Sequence, residues 1–122
     1  MTDYLRRDDI TVPQGVPFAV YWPLFAADGT TPLVTTGWTA RAQARKRAVS
    51  TTVLQSWTTE NSGLAYSLVG AERRLTLFVT AVMSSAWTWE TAHYDIELLD
   101  ALGEPAARLT QGRMTVNREV TR

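Results

Sequence analysis

The chain has 122 residues, twelve Lys+Arg against twelve Asp+Glu, one histidine and no cysteine. That length suits one domain that buries about two-thirds of its unfolded surface, and 45% hydrophobic with 20% charged residues is far from the composition of disordered chains. A net charge of +0 speaks against nucleic acid as the main partner, because phosphate binding draws on a surplus of Lys and Arg, and the lack of cysteine excludes disulfides, thiolate nucleophiles, iron–sulfur clusters and Cys-ligated zinc.

With His93 the only histidine, a zinc site would have to borrow carboxylates or a neighbouring subunit. The N-terminal run Met1-Thr2-Asp3-Tyr4-Leu5-Arg6-Arg7-Asp8-Asp9 carries charge where a signal peptide needs its apolar stretch. No run approaches the roughly 18 apolar residues of a membrane span. The expectation is a protein made in the cytoplasm without an export signal.

Taken in chain order, hydrophobic spacing predicts strands almost throughout. From Val16 to Phe25, Phe18, Val20, Trp22 and Leu24 fall on one face and Ala19, Tyr21 and Phe25 on the other. Pro23 cannot donate to a ladder, so this strand belongs at an edge or bulges near its end. Ala27-Asp28-Gly29-Thr30 has the Asp-Gly pair of a tight turn.

Between Trp38 and Val49 two rules disagree. The Ala and Arg content favours a helix, whereas Trp38, Ala40, Ala42 and Ala44 alternate with Thr39, Arg41, Gln43 and Arg45 at the period of a strand. A helix with this pattern would scatter its arginines around the circumference, so a strand is predicted.

Val53 to Trp57 reads as a short strand and Glu60-Asn61-Ser62-Gly63 as a turn. Leu64–Val69 and Arg74–Val79 form a predicted hairpin joined through Gly70-Ala71-Glu72-Arg73. Ala81 to Ala86 is long enough for one helical turn only. Thr91 to Asp100 alternates Tyr94, Ile96 and Leu98 with His93, Asp95 and Glu97, a half-buried strand. Ala101-Leu102-Gly103-Glu104 turns the chain, and Ala106 to Val116 returns, with Gly112 placed for a bulge. In the tail from Asn117 to Arg122 only Val120 is apolar, so residues 116–122 are expected to form an extended C-terminal arm. Seven to eight short strands at roughly ten-residue spacing, with at most one helical turn, predict a single all-β antiparallel sandwich spanning 1–122.

The chemistry available to such a sandwich is thin. His93, Asp95 and Glu97 share a strand face and set a base beside two carboxylates, but no serine lies in a nucleophile elbow and a solvent-facing strand explains the pattern. Asp8-Asp9 lacks the spacing and glycine of a calcium loop and reads as a charged strand edge. No glycine-rich phosphate cradle precedes Lys46, the only lysine. The expectation is therefore no catalytic residue, no metal and no cofactor. Arg41, Arg45, Lys46 and Arg47 are the one basic cluster, and the spacing of Trp87 and Trp89 puts both indoles on one side of an extended segment. Aromatic residues and Arg are enriched in interface cores. With five tryptophans in a small domain some are expected at the surface, and Trp87, Trp89, Arg41, Arg45 and Arg47 are the predicted protein-contact residues.

Several segments together carry a resemblance. They are Arg6-Arg7-Asp8-Asp9-Ile10, Ala26 to Leu33, Thr36-Gly37-Trp38 with the alternating Ala/Arg run to Arg45, Arg74-Leu75-Thr76-Leu77, Tyr94-Asp95-Ile96-Glu97-Leu98-Leu99-Asp100, Gln111 to Val116 and Val120-Thr121-Arg122. In this order the chain resembles small structural proteins of tailed-phage virions, similar to minor tail proteins and the N-terminal domain of baseplate upper proteins. The resemblance implies an immunoglobulin-like β-sandwich, settles the Trp38–Arg45 segment as a strand, and implies docking rather than catalysis: a minor tail, tail-tip or baseplate component of the virion, contacting other virion proteins and copies of itself in a symmetric oligomer or ring, with neither nucleic acid nor membrane as partner. Two alternatives are a capsid decoration or head-fibre protein, and a carbohydrate-binding adhesion module whose exposed Trp rings stack on host glycans.

Overall fold

Among the described residues the alternating segments form eight strands and one short helix: β1 Ile10–Pro13, β2 Phe18–Leu24, β3 Thr39–Arg45, β4 Val53–Thr58, β5 Leu64–Val69, β6 Glu72–Val79, α1 Ala81–Ser85, β7 Thr91–Leu99 and β8 Pro105–Asn117. The structure is a computed structural model and describes residues 6–26 and 28–118. Five strands in the order β1-β8-β7-β3-β4 make a larger sheet and three in the order β2-β6-β5 a smaller one. The two face each other across one apolar cluster as a β-sandwich. No helix among the described residues is long and apolar enough to cross a membrane.

The alanine-rich segment is strand β3, and its neighbours explain its composition. Ala42 lies between Ile96 of β7 and Trp57 of β4, and Ala44 between Tyr94 and Gln55. Large side chains on both flanking strands leave room only for methyl groups on the strand between them, because a core fills to near crystal density. Ala40, Ala42 and Ala44 are fully buried.

In β2, Trp22 and Leu24 are buried, with Phe18 and Val20 packed against the core, while Ala19 and Tyr21 face out. β2 is an edge strand, and Pro23 lies there opposite Arg74, where its missing N–H leaves no gap in the sheet. After the strand the Asp28 carboxylate accepts the backbone N–H groups of Thr30 and Thr31, both at 2.8 Å, and the Thr31 hydroxyl. Those bonds, the Thr31 hydroxyl first, bring its pKa down to about 2. Ala27 lies outside the described residues.

The hairpin between β5 and β6 is tighter than its sequence suggested. Val69 pairs with Glu72, leaving Gly70-Ala71 as the turn, and Gly70 has φ 63°, the left-handed conformation such turns require. Helix α1 has Thr80 as N-cap, its hydroxyl accepting the Met83 N–H at 3.0 Å. Within it the buried Ser84 hydroxyl accepts the Gly15 N–H at 2.8 Å, tying the loop before β2 to the helix.

Among the described residues all ladders are antiparallel except one: β1 runs parallel to β8, Ile10 beside Met114 through Pro13 beside Asn117. Val116 is buried in this ladder, so the strand occupies the start of the segment expected to be a free arm. Arg118 turns back onto the domain, and residues 119–122, including Val120, lie outside the described ones.

Gly112 does not mark a bulge. It pairs in register with Tyr94, and a Cβ built on it would lie 2.1 Å from the Asp8 carbonyl oxygen, so the glycine is there to let the N-terminal segment cross the strand. The irregularities of β8 lie nearer its start. Ile96 pairs with Thr110 and Glu97 with Arg108, leaving Leu109 as the extra residue. The bulge resets the alternation and places Arg108 on the outer face beside Glu97.

Candidate functional site

The segment before β1 is built into the molecule rather than serving as a charged guard on a strand edge. Asp8 pairs with β8 through its N–H to the Gln111 carbonyl at 2.9 Å. Its carboxylate accepts the Trp22 indole N–H at 3.0 Å from the smaller sheet and the Thr110 hydroxyl at 2.8 Å from the larger one, and also the Arg6 guanidinium at 2.7 Å. Its carbonyl accepts the Tyr94 hydroxyl at 2.5 Å. Burial alone would raise the Asp8 pKa, but the hydrogen bonds from Arg6, Thr110 and Trp22 outweigh it and hold the carboxyl below its usual range. Asp9 is occupied too, accepting the Arg113 N–H at 2.9 Å and pairing with Arg7 at 3.4 Å. Asp8 does the work of a clasp between the sheets, and Asp9 fixes the same segment to β8.

Two further polar tethers join the layers. The Trp57 indole N–H donates to the Phe78 carbonyl at 3.1 Å, and the Tyr66 hydroxyl to the Thr39 carbonyl at 2.8 Å. Burial pushes the Tyr66 and Tyr94 phenols above their ordinary range, so both stay protonated donors.

Of the two tryptophans singled out for partner contact, Trp87 is buried and Trp89 half-buried. Trp22, Trp57 and Trp87 are buried, and Trp38 and Trp89 pack half-buried against the core. Trp87, singled out as a contact residue, is 6% exposed. It meets Trp57 edge-on at 6.2 Å and donates its indole N–H to Gln55 at 2.8 Å. Trp89 does lie on the same side, its ring 4.6 Å from that of Trp87. The backbone of this segment is clamped by Arg118, which donates to the carbonyls of Trp87 at 3.2 Å and Trp89 at 3.0 Å. A buried five-membered-and-six-membered ring system needs its N–H satisfied, and only Gln55, a polar residue placed inward on β4, makes Trp87 suitable as core.

Of the arginines predicted as contacts, Arg41 and Arg45 lie on the outer face of the larger sheet, away from the Trp87 indole, and Arg47 is exposed in the turn after β3. The face is a ladder of three rows. Arg108, Glu97 and Arg41 form one; Gln111, Asp95 and Gln43 the next; Arg113, His93 and Arg45 the third. Glu97 accepts the Arg41 guanidinium at 2.6 and 2.9 Å. His93, Asp95 and Glu97 thus share a face as the alternation predicted, each with basic or amide neighbours in register, and opposite charges across strands stabilise such a face.

The exposed aromatic surface lies elsewhere, on the smaller sheet. Tyr21 is 48% exposed, Phe25 44% and Phe78 39%. Phe78 pairs with Ala19 across the ladder, and the Arg74 guanidinium lies 4.2 Å over the Tyr21 ring. Next to them Pro17, Phe18, Phe78 and Val79 line a shallow apolar hollow at the start of β2. Alternation already separated Ala19, Tyr21 and Phe25 from the core face; the signal was an outward face without a charge.

No protein-family model matches the chain, and no curated protein matches it.

Proposed function

We propose that this β-sandwich is a non-enzymatic structural protein of a tailed-phage virion, a minor tail, tail-tip or baseplate component that works by docking to other virion proteins and to copies of itself. The sequence resemblance motivates the reading, and the observation that carries it is the outward aromatic face of the smaller sheet. Tyr21, Phe25 and Phe78, with Arg74 over Tyr21, gather on and beside an edge strand. These are residue types that concentrate binding energy in interface cores. The docking surface moves from the Trp87 segment, where burial leaves little to offer a partner, to this face.

Immunogold electron microscopy of particles from the producing phage tests location. Gold at the tail or its tip supports the proposal; gold spread over the head replaces it with a capsid decoration role; virions lacking the chain by mass spectrometry reject it. The double variant Tyr21→Ser/Phe78→Ser, with an unchanged far-ultraviolet spectrum, is expected to be depleted from particles. Incorporation at the wild-type level removes the aromatic face as the docking surface.

A further inference from the structure

The geometry points to an oxyanion-binding site on the outer face of the larger sheet, taking a compact phosphate group: inorganic phosphate or a phosphomonoester. Arg7, Lys46, His93 and Arg113 line one shallow hollow together with Thr91, Ala92 and Gly112. They come from four separate places: the segment before β1, the turn after β3, and strands β7 and β8. Register fixes the centre, because His93 lies directly opposite Arg113 on one side and Arg45 on the other.

Charge in the hollow is only partly compensated. Among the described residues neither the Lys46 ammonium nor the Arg113 guanidinium has a carboxylate within ion-pair distance, while Asp9, which also accepts the Arg113 backbone N–H, holds Arg7 at 3.4 Å in an exposed pair. Exposed pairs of that kind are weak and exchange readily for a better acceptor. Three permanent cations and an imidazole around one opening present several charge-assisted donors to a tetrahedral anion. On a chain of net charge +0 this concentration has to be offset elsewhere, so it is a local feature rather than an overall basic character.

The neighbouring hollow sets the size of the ligand. One step along the same face, Asp95 and Glu97 stand among Arg41, Arg45 and Arg108. There the donors are already engaged, Arg41 by Glu97 and Arg45 by Gln43, so the next phosphate of a polymer following the sheet would have to compete with the resident carboxylates, whereas a single terminal phosphate stays over His93. The site is independent of the virion proposal.

His93 being the only histidine, its imidazole proton resonances report on the hollow without ambiguity. The experiment titrates the full chain at fixed neutral pH with inorganic phosphate, with glycerol phosphate and with a short single-stranded oligonucleotide, each against sodium chloride at matched ionic strength. Saturable movement of the His93 resonances with phosphate and not with chloride is expected. Arg113→Gln and Lys46→Gln should each weaken binding about fivefold, while Arg47→Gln, outside the hollow, leaves it unchanged. Tighter binding of glycerol phosphate identifies a phosphomonoester as the natural ligand, and equal or weaker binding identifies free phosphate; both sustain the site. A response identical to that of chloride, an unchanged affinity in Arg113→Gln with a native far-ultraviolet spectrum, or preferential binding of the oligonucleotide overturns it.

Discussion

At the level of single residues, the positions that hold the two layers together are polar. Asp8 is reached by donors from both sheets and gains nothing from being apolar. Its folded pKa lies below the unfolded value of about 3.9. The stability it contributes is therefore fully present above that value and is lost as pH falls through the folded pKa. Asp8→Asn is expected to lower the urea midpoint at neutral pH, and the gap from the parent protein to close below about pH 4. A gap that stays constant with pH would mean that the charge of Asp8 contributes nothing. Gly112→Ala must displace the Asp8 carbonyl, since the added methyl has 2.1 Å of room; overpacking of this kind costs about 1–3 kcal/mol. Hydrogen exchange should show the loss concentrated in residues 6–13. Ile96→Ala, wholly in the core, should cost about 2–5 kcal/mol in denaturant melts.

At the level of elements, the period of two carried nearly all the information. Ala40, Ala42 and Ala44 against Arg41, Gln43 and Arg45 gave the right face of β3 although the composition argued for a helix, because burial on one side outweighs propensity differences of well under 1 kcal/mol per residue. Tyr94, Ile96 and Leu98 were equally legible on β7. The bulge at Leu109 was not, since a bulge is set by which partner each residue meets across the ladder, and Gly112 carried the more obvious local signal. Its glycine answered to a segment of chain far away in sequence. Likewise Asp8-Asp9 could be recognised as charged but not as a clasp, because Trp22 and Thr110 come to it only through the fold. The helical turn, by contrast, has a local cause: Thr80→Ala removes its cap and should cost about 1 kcal/mol, read as a lower melting temperature with an unchanged strand spectrum.

For the molecule as a whole, the surprise lies in where the aromatic load went. Interiors of small sandwiches seldom need this many indoles, and the sequence suggested that some were for partners. The core between the sheets takes in Trp22 from the smaller sheet and Trp57 and Trp87 from the side of the larger one, where the alanines of β3 beside Trp57 leave space under the layer. Native tryptophan emission is therefore expected to be blue-shifted and poorly quenched by iodide, moving red and becoming fully quenchable on unfolding; strong quenching of the native protein would contradict the burial of Trp22, Trp57 and Trp87. That internal placement takes the faces of the Trp22, Trp57 and Trp87 rings out of solvent and leaves Tyr21, Phe25 and Phe78 as the exposed aromatic rings among the described residues. The candidate surfaces that remain lie on opposite sheets, one aromatic and one cationic; the first was signalled only by an uncharged outward face on β2, and the second is assembled from four separate places in the chain.

The parallel pairing of β1 with β8 also decides how the domain bears load. Because the two strands run in the same direction side by side, Ile10 beside Met114 and Pro13 beside Asn117, a pull applied at Arg6 and Arg118 draws them past each other along their length. Every hydrogen bond of that ladder then takes strain at once, together with the Asp8 bonds to Trp22 and Thr110, instead of opening one after another as in a zipper. Stretched between its ends, the sandwich is a mechanical fastener, and single-molecule pulling along that axis should meet a higher rupture force than pulling across the hairpin of β5 and β6.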